Sequence, residues 1–162
     1  MAEQSRRPGS RERVRAFLSE YGLADGVVEF EQSTKTAAMA AEAMGCDLGQ
    51  IVKSLVVIVD GESPVVALVA GDRRGDLDAI ASEMTGGKAR MADADTVREV
   101  TGYAIGGVSP FALPERLPVL VDDSLRRFET VFPAAGTPSS MVRIPTEMLV
   151  NVSRGRVARI SH

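Results

Sequence analysis

Two apolar runs, Ile51–Val59 and Pro64–Ala70, flank the turn-forming tetrapeptide Asp60-Gly61-Glu62-Ser63. Valine- and isoleucine-rich runs separated by so short a polar connection fold as an antiparallel hairpin. The first run is apolar on both faces, which places it in the middle of a sheet. One residue breaks its pattern. Lys53 lies inside the run, and a lysine in a buried strand is costly unless its ammonium reaches an anion or a solvated opening. A second segment, Thr101-Gly102-Tyr103-Ala104-Ile105-Gly106-Gly107-Val108-Ser109-Pro110, is small and glycine-rich and closes on a proline. Such a segment lets the main chain approach a ligand and offer it N–H groups. The two features together imply one pocket holding a cation and backbone donors, suited to an anionic or carbonyl-bearing substrate.

The remaining elements follow from periodicity. Residues 1–9 read as a flexible leader, and 10–162 as a single domain large enough to bury a substantial core. Val14, Phe17, Leu18 and Tyr21 repeat at helical spacing from Ser10, with Gly22 to end the helix. Val27–Gln32 alternates weakly, as a strand does. Thr34 or Thr36 is placed to cap an alanine-rich helix that ends at Gly45. Asp76 caps a helix presenting Leu77, Ile80, Ala81 and Met84, and Lys88–Met91 is a short strand. Asp93 or Asp95 opens a helix to about Val100. The last third alternates strands (Pro118–Asp122, Thr130–Ala134, Met141–Ile144, Val157–Ile160) with short helices at Ser124–Phe128 and Thr146–Val150. The expected fold class is therefore α+β, with a mixed, largely antiparallel sheet surrounded by helices.

Composition narrows the chemistry. Cys46 is the only cysteine and His162, the last residue, the only histidine. No internal disulfide and no Ser-His-Asp or Cys-His arrangement can be built from these, and no metal or other cofactor is expected. Cys46, beside a helix-ending glycine, is expected to pack rather than react. Asp72 lies in a Gly-Asp turn; Asp122 and Asp123 end a strand, with Asp123 placed to cap the helix after it. A net charge of −3 argues against non-specific coating of nucleic acid and makes DNA an unexpected partner. Arginines nevertheless cluster near both ends, and Arg73, Arg74, Lys88 and Arg90 form a third group. No apolar run approaches the ~20 residues of a membrane span, and the polar N-terminus does not read as a secretory signal, so no membrane partner and a cytoplasmic location are expected.

In order and spacing, several motifs resemble the YbaK/prolyl-tRNA-synthetase-associated domain family, the aminoacyl-tRNA editing domains. They are Thr36-Ala37-Ala38, Ile51-Val52-Lys53-Ser54-Leu55-Val56, Ala70-Gly71-Asp72, and Lys88 followed by Met91-Ala92-Asp93. Thr101-Gly102-Tyr103, the Gly106–Pro110 loop, Pro118–Asp122 and Ala135-Gly136 continue the match, which spans roughly residues 25 to 160. The resemblance implies a distorted, barrel-like mixed sheet wrapped by helices. It also implies hydrolysis of the ester joining a wrong, small amino acid to tRNA, commonly tRNA for proline. An active site cannot exclude small side chains well, since one methylene is worth only ~1–3 kcal/mol, and a second hydrolytic site supplies the missing discrimination.

Carried onto this chain, the resemblance makes Lys53 the residue that holds the terminal phosphate and orients the ester. Gly106 and Pro110 match the family's G-x-x-x-P loop. Lys53 and Gly106 are thus the catalytic candidates, and Phe30, Ser54, Gly107, Val108, Ser109, Pro110 and Met141 the substrate-binding ones. Deacylases specific for cysteinyl-tRNA carry tyrosine at the position of Phe30 and aspartate at that of Met141, so this pocket is more apolar than theirs. The expected partner is the 3′ acceptor end of an aminoacyl-tRNA, with an aminoacyl-tRNA synthetase as a second. An aminoacyl ester is already activated, so positioned water, N–H dipoles and a cation near phosphate suffice without a covalent nucleophile. The expected activity is that of a free-standing trans-editing hydrolase. Two readings stay open beside it: a non-catalytic tRNA- or nucleotide-binding regulatory module, and a hydrolase of small activated esters unrelated to tRNA.

Overall fold

A computed structural model of the chain describes residues 9–31 and 36–162. In chain order the elements are α1 (Ser10–Ser19), β1 (Val27–Glu29), α2 (Ala37–Met44), β2 (Ile51–Val59), β3 (Ser63–Ala70), α3 (Leu77–Met84) and β4 (Ala89–Met91). There follow α4 (Ala94–Thr101), β5 (Val119–Asp122), β6 (Thr130–Pro133), β7 (Ser140–Val142), β8 (Ile144–Pro145), α5 (Thr146–Ser153) and β9 (Arg156–Ala158). The expected leader lies outside the described residues except for Gly9, and so does Thr34. Thr36 caps α2, its Oγ1 accepting from the Met39 N–H at 3.1 Å, and Gly45 ends it in the left-handed region at φ 66°. Asp76 and Asp93 cap α3 and α4 in the same way.

The β2–β3 hairpin forms as expected, from Val52 opposite Ala70 to Val59 opposite Ser63. β5 and then β9 extend the sheet beyond β3, both in parallel. Two short strands share the other edge of β2. β6 runs parallel to Ile51–Val52, whereas β4 runs antiparallel to Val57–Val59, and β8 pairs outside β6. The curled mixed sheet thus contains three parallel pairings beside its antiparallel ones, and β1 with β7 makes a separate antiparallel ribbon. The expected strand Met141–Ile144 is divided into β7 and β8. The Arg143 N–H turns back to the Gly26 carbonyl at 2.8 Å, so Ile144 leaves the ribbon and joins β6.

Both faces of the hairpin are covered, which is why β2 shows no polar alternation. Val52, Val56, Ile58, Val66 and Leu68 pack with Val14 and Leu18 of α1, Val97 of α4 and Leu149 of α5. Val57, Val59, Val65, Ala67 and Val69 pack on the opposite face with Ile80 and Ala81 of α3. Among the described residues no helix is long and apolar enough to cross a membrane.

Asp122, at the end of β5, is fully buried and ties the last part of the chain to the sheet. Its Oδ1 accepts from the Ile160 N–H at 2.9 Å; its Oδ2 accepts from Ser161 Oγ at 2.7 Å, and from the hydroxyl and N–H of Ser124. The cap of the short 3₁₀ helix Asp123–Arg127 is therefore Asp122, one residue before the expected Asp123. Asp123 is exposed, whereas Asp122 points inward toward three donor residues. Burial pushes the Asp122 carboxyl up, but the hydrogen bonds from Ser124, Ser161 and Ile160 outweigh it and hold it below the ordinary carboxylate range. Its folded pKa lies below the unfolded value of about 3.9, so its contribution to stability is complete above that pH. That contribution is lost as pH falls through the folded value. Replacing Asp122 by alanine is expected to lower the urea-unfolding free energy at pH 7 by about 2–4 kcal/mol and to flatten the acid limb of the stability profile.

Candidate active site at the open edge of the central strand

The edge of β2 facing β6 and β4 is covered at its two ends only. β6 stops at Val52, and β4 begins at Val57 with one further bond from the Ala92 N–H to the Val56 carbonyl at 3.0 Å. Among the described residues no strand pairs with Lys53, Ser54 or Leu55 on this side. Main-chain groups of successive residues alternate between the two edges of a strand. The Ile51 carbonyl turns to β3, where it accepts from the Gly71 N–H at 2.7 Å, while that of Val56 turns to the opposite edge. Ser54 shares the parity of Val56, so its N–H and carbonyl face the gap.

A cavity of about 330 Å³ occupies this gap. Lys53, Ser54, Gly106, Val108 and Met141 all line it. Phe30, Gly107, Ser109 and Pro110 do not. Phe30 is half-buried and packs against the cluster of Ile51, Phe132 and Met141. Pro110 lines a separate groove with Phe17 and Tyr21. Ser109 is fully buried, and its hydroxyl accepts from the Phe111 N–H at 3.4 Å. The Tyr103 hydroxyl donates to the Phe111 carbonyl at 2.5 Å, and that of Thr101 donates to the Val97 carbonyl of α4 at 2.7 Å and accepts from the Tyr103 N–H at 3.0 Å, so both are engaged with backbone. The Ser54 hydroxyl is buried without a hydrogen-bond partner among the described residues.

The glycines act through geometry. Gly106 adopts φ 91°, a left-handed conformation natural to glycine, inside a turn closed by the Gly107 N–H on the Ala104 carbonyl at 3.0 Å. A Cβ on Gly107 would lie 2.8 Å from the Thr137 Cα, so here two main chains touch with nothing between them. The contact presses the Gly106 turn against the loop that carries Thr137, another lining residue.

Lys53 leaves β2 on the face opposite Ser54, and its ammonium donates to the Arg73 carbonyl in the loop between β3 and α3. Burial pulls its pKa down, the charge of Arg74 adds to this, and Asp72 opposes both. That carboxylate is itself engaged. Asp72 accepts two hydrogen bonds from the Arg127 guanidinium at 2.7 and 2.9 Å, which hold its carboxyl below the ordinary range. Lys53 and Arg74 thus make a positive corner beside the cavity, a setting for a phosphate or another anion. Cys46 packs beside Ile51 and Met141, and burial pushes its thiol up, away from the reactive thiolate. Among the described residues no group of three His, Cys, Asp or Glu side chains is arranged to hold a metal ion.

Several lining residues lay outside the sequence-level candidates. Thr36, Ala37 and Ala40 of the α2 end form one wall, and Ala92 with Val97 another. The alanine run of α2 signalled close packing on the sheet, but not which side of it is hollow. Ser161 and His162, which hold the loop after β3, gave no signal at all.

The α+β half-barrel is an architecture shared with solved proteins. A structure described as a candidate trans-editing enzyme for prolyl-tRNA synthetase superposes with a TM-score of 0.86 at 37% identity, covering 97% of this chain and 99% of that one. The uncharacterized protein YwhH of Bacillus subtilis is 39% identical over 145 residues, which are 89% of this chain and 91% of YwhH. The multifunctional Ser/Thr-tRNA deacylase ProXp-y of Escherichia coli is 31% identical over 158 residues, 95% of this chain and 94% of that protein. The family model for the aminoacyl-tRNA editing domain matches residues 31–152, and the chain belongs to that family.

The contact between Gly107 and Thr137 is expected to tolerate no side chain. Gly107→Ala should lower the unfolding free energy by about 1–3 kcal/mol in urea titration and displace the Gly106 turn. A variant as stable as the parent would show that the two loops are free to separate.

Proposed function

We propose that this chain is a trans-editing hydrolase that deacylates a misacylated tRNA carrying a small amino acid, with tRNA for proline as the acceptor. One observation carries the reading: Lys53 and the Gly106 turn border the same cavity, beside a stretch of strand edge that no strand among the described residues pairs with. The match to a Ser/Thr-tRNA deacylase along nearly the whole length of both proteins supports deacylation in trans.

In this reading the terminal phosphate of the tRNA sits at the positive corner made by Lys53 and Arg74, and the aminoacyl group enters the cavity. N–H groups of the Gly106 turn and of the Ser54 edge polarise the ester carbonyl, and water adds to it. The carbon–oxygen bond to the ribose then breaks and the proton passes to the ribose oxygen, leaving free amino acid and tRNA. No covalent intermediate is needed, because the ester is already activated and the site supplies position and dipoles. Met141, Ala37 and Ala40 give the acyl end an apolar, narrow wall, which favours a small side chain. Action on tRNA also implies a cytoplasmic place of work, with a synthetase as a neighbour in the same process.

A deacylation screen with tRNA for proline charged with alanine, cysteine, serine or threonine tests the proposal. At least one of these esters should be hydrolysed well above its spontaneous rate. Lys53→Ala should reduce that rate by about 100-fold or more while melting as the parent does. Tight tRNA binding with no hydrolysis of any of the four would instead make the domain a binding module.

Enlarging the apolar wall offers a second, independent check. Met141→Ala is expected to shift the preference among the four esters toward the bulkier threonyl one, by about 10-fold in relative kcat/KM. An unchanged ranking would remove Met141 from the acyl pocket.

A further inference from the structure

The carbonyl that receives the Lys53 ammonium belongs to Arg73, in a loop fixed mainly by the distant end of the chain. The Arg74 N–H donates to the His162 carbonyl at 2.9 Å, and the His162 N–H returns to the Arg74 carbonyl at 2.8 Å. The Asp76 N–H donates to the Ile160 carbonyl at 2.8 Å, and Gly75 bridges Ser161. The side chains continue the connection. Arg73 Nε donates to Ser161 Oγ at 2.7 Å, and that hydroxyl donates to the buried Asp122 Oδ2 at 2.7 Å. A line of hydrogen bonds therefore runs from Asp122 through Ser161 to Arg73, and from the Arg73 carbonyl to Lys53. On its other flank the loop is clamped by the Asp72–Arg127 pair.

We infer that Asp122, Ser161 and Arg73 form a positioning brace that aims the Lys53 ammonium at the cavity mouth. None of the three lines the cavity, so each acts through Lys53 rather than on substrate. The inference rests on the proposed role of Lys53 as the substrate anchor. Its physical basis is that a lysine has four rotatable bonds, and a single acceptor on a loose loop would not select one of its rotamers. Fixing the acceptor confines the ammonium, and displacements of the order of 1 Å in a positioned group cost about 100-fold in rate. A buried carboxylate is a firm terminus for such a line, because its two oxygens also take donors from Ser124 in the 3₁₀ helix after β5 and from the Ile160 N–H.

Ser161 is the residue to test, since Ser161→Ala breaks the line and leaves Asp122 with Ser124 and the Ile160 N–H. The chain has three lysines, Lys35, Lys53 and Lys88, so titration of ¹³C-labelled lysine side chains by NMR resolves Lys53 directly. The groups facing it are Arg73, Arg74 and Asp72, with Arg127 engaging the last, and all remain in the variant. The Lys53 midpoint is expected to rise toward the ordinary lysine value as the freed ammonium becomes solvated. Deacylation should fall by about 10- to 100-fold in kcat with KM less affected, and Ser161→Thr should restore both. An unmoved Lys53 midpoint in a folded Ser161→Ala overturns the brace, whatever the activity does. If the midpoint moves but neither Ser161→Ala nor Lys53→Ala changes deacylation, the brace stands as a device that holds Lys53, and the anchoring role of Lys53 falls instead.

Discussion

The interrupted pairing of β2 is the constraint on which the rest of the site depends. A nine-residue central strand needs partners on both edges, and here one edge is divided between β6 and β4, which run in opposite directions. Neither reaches the middle. A polar backbone edge left in an apolar interior is costly unless water or a ligand satisfies it. The fold accommodates the interruption by opening a cavity there, so the requirement to hydrate Ser54 and the capacity to receive a polar substrate group come from the same gap.

The surroundings of the gap divide the labour. The apolar walls come from helices α2 and α4 and from Met141, while the charge comes from Lys53 of β2 and Arg74 of the loop after β3. Asp72 partly offsets the charge of this corner, but both of its carboxylate oxygens are taken by Arg127. The positive corner is therefore maintained inside a protein whose net charge is negative. The local charge at the cavity is thus opposite in sign to that of the molecule as a whole.

Much of the fold was legible because the controlling signals are local. The Asp60–Ser63 turn between two valine-rich runs dictates the β2–β3 hairpin, and Thr36, Asp76 and Asp93 cap the helices they precede. The conjunction of Lys53 with the glycine turn was legible for another reason. A lone charge in an apolar strand and a glycine-rich loop are each costly for folding, and both border the cavity. The rest depends on contacts that composition does not encode. Ser109 and Pro110 share their segment with Gly106, yet the turn at Gly107 directs them into the core and toward another groove. Phe30 packs, half-buried, against the cluster that contains Met141, and of the two only Met141 reaches the hollow. The split of β7 from β8 is set by Gly26, far away in sequence, and no periodicity within Met141–Ile144 reports it.

The parallel attachment of β9 has a consequence for the order in which the molecule assembles. Arg73 and Ser161 are 88 positions apart, and closing so long a segment is entropically late work in folding. The hairpin and the capped helices rest on local contacts, whereas the loop after β3 is ordered by residues far along the sequence. Wherever β9 and the residues after it are not docked, the frame that holds the Arg73 carbonyl toward Lys53 is missing as well.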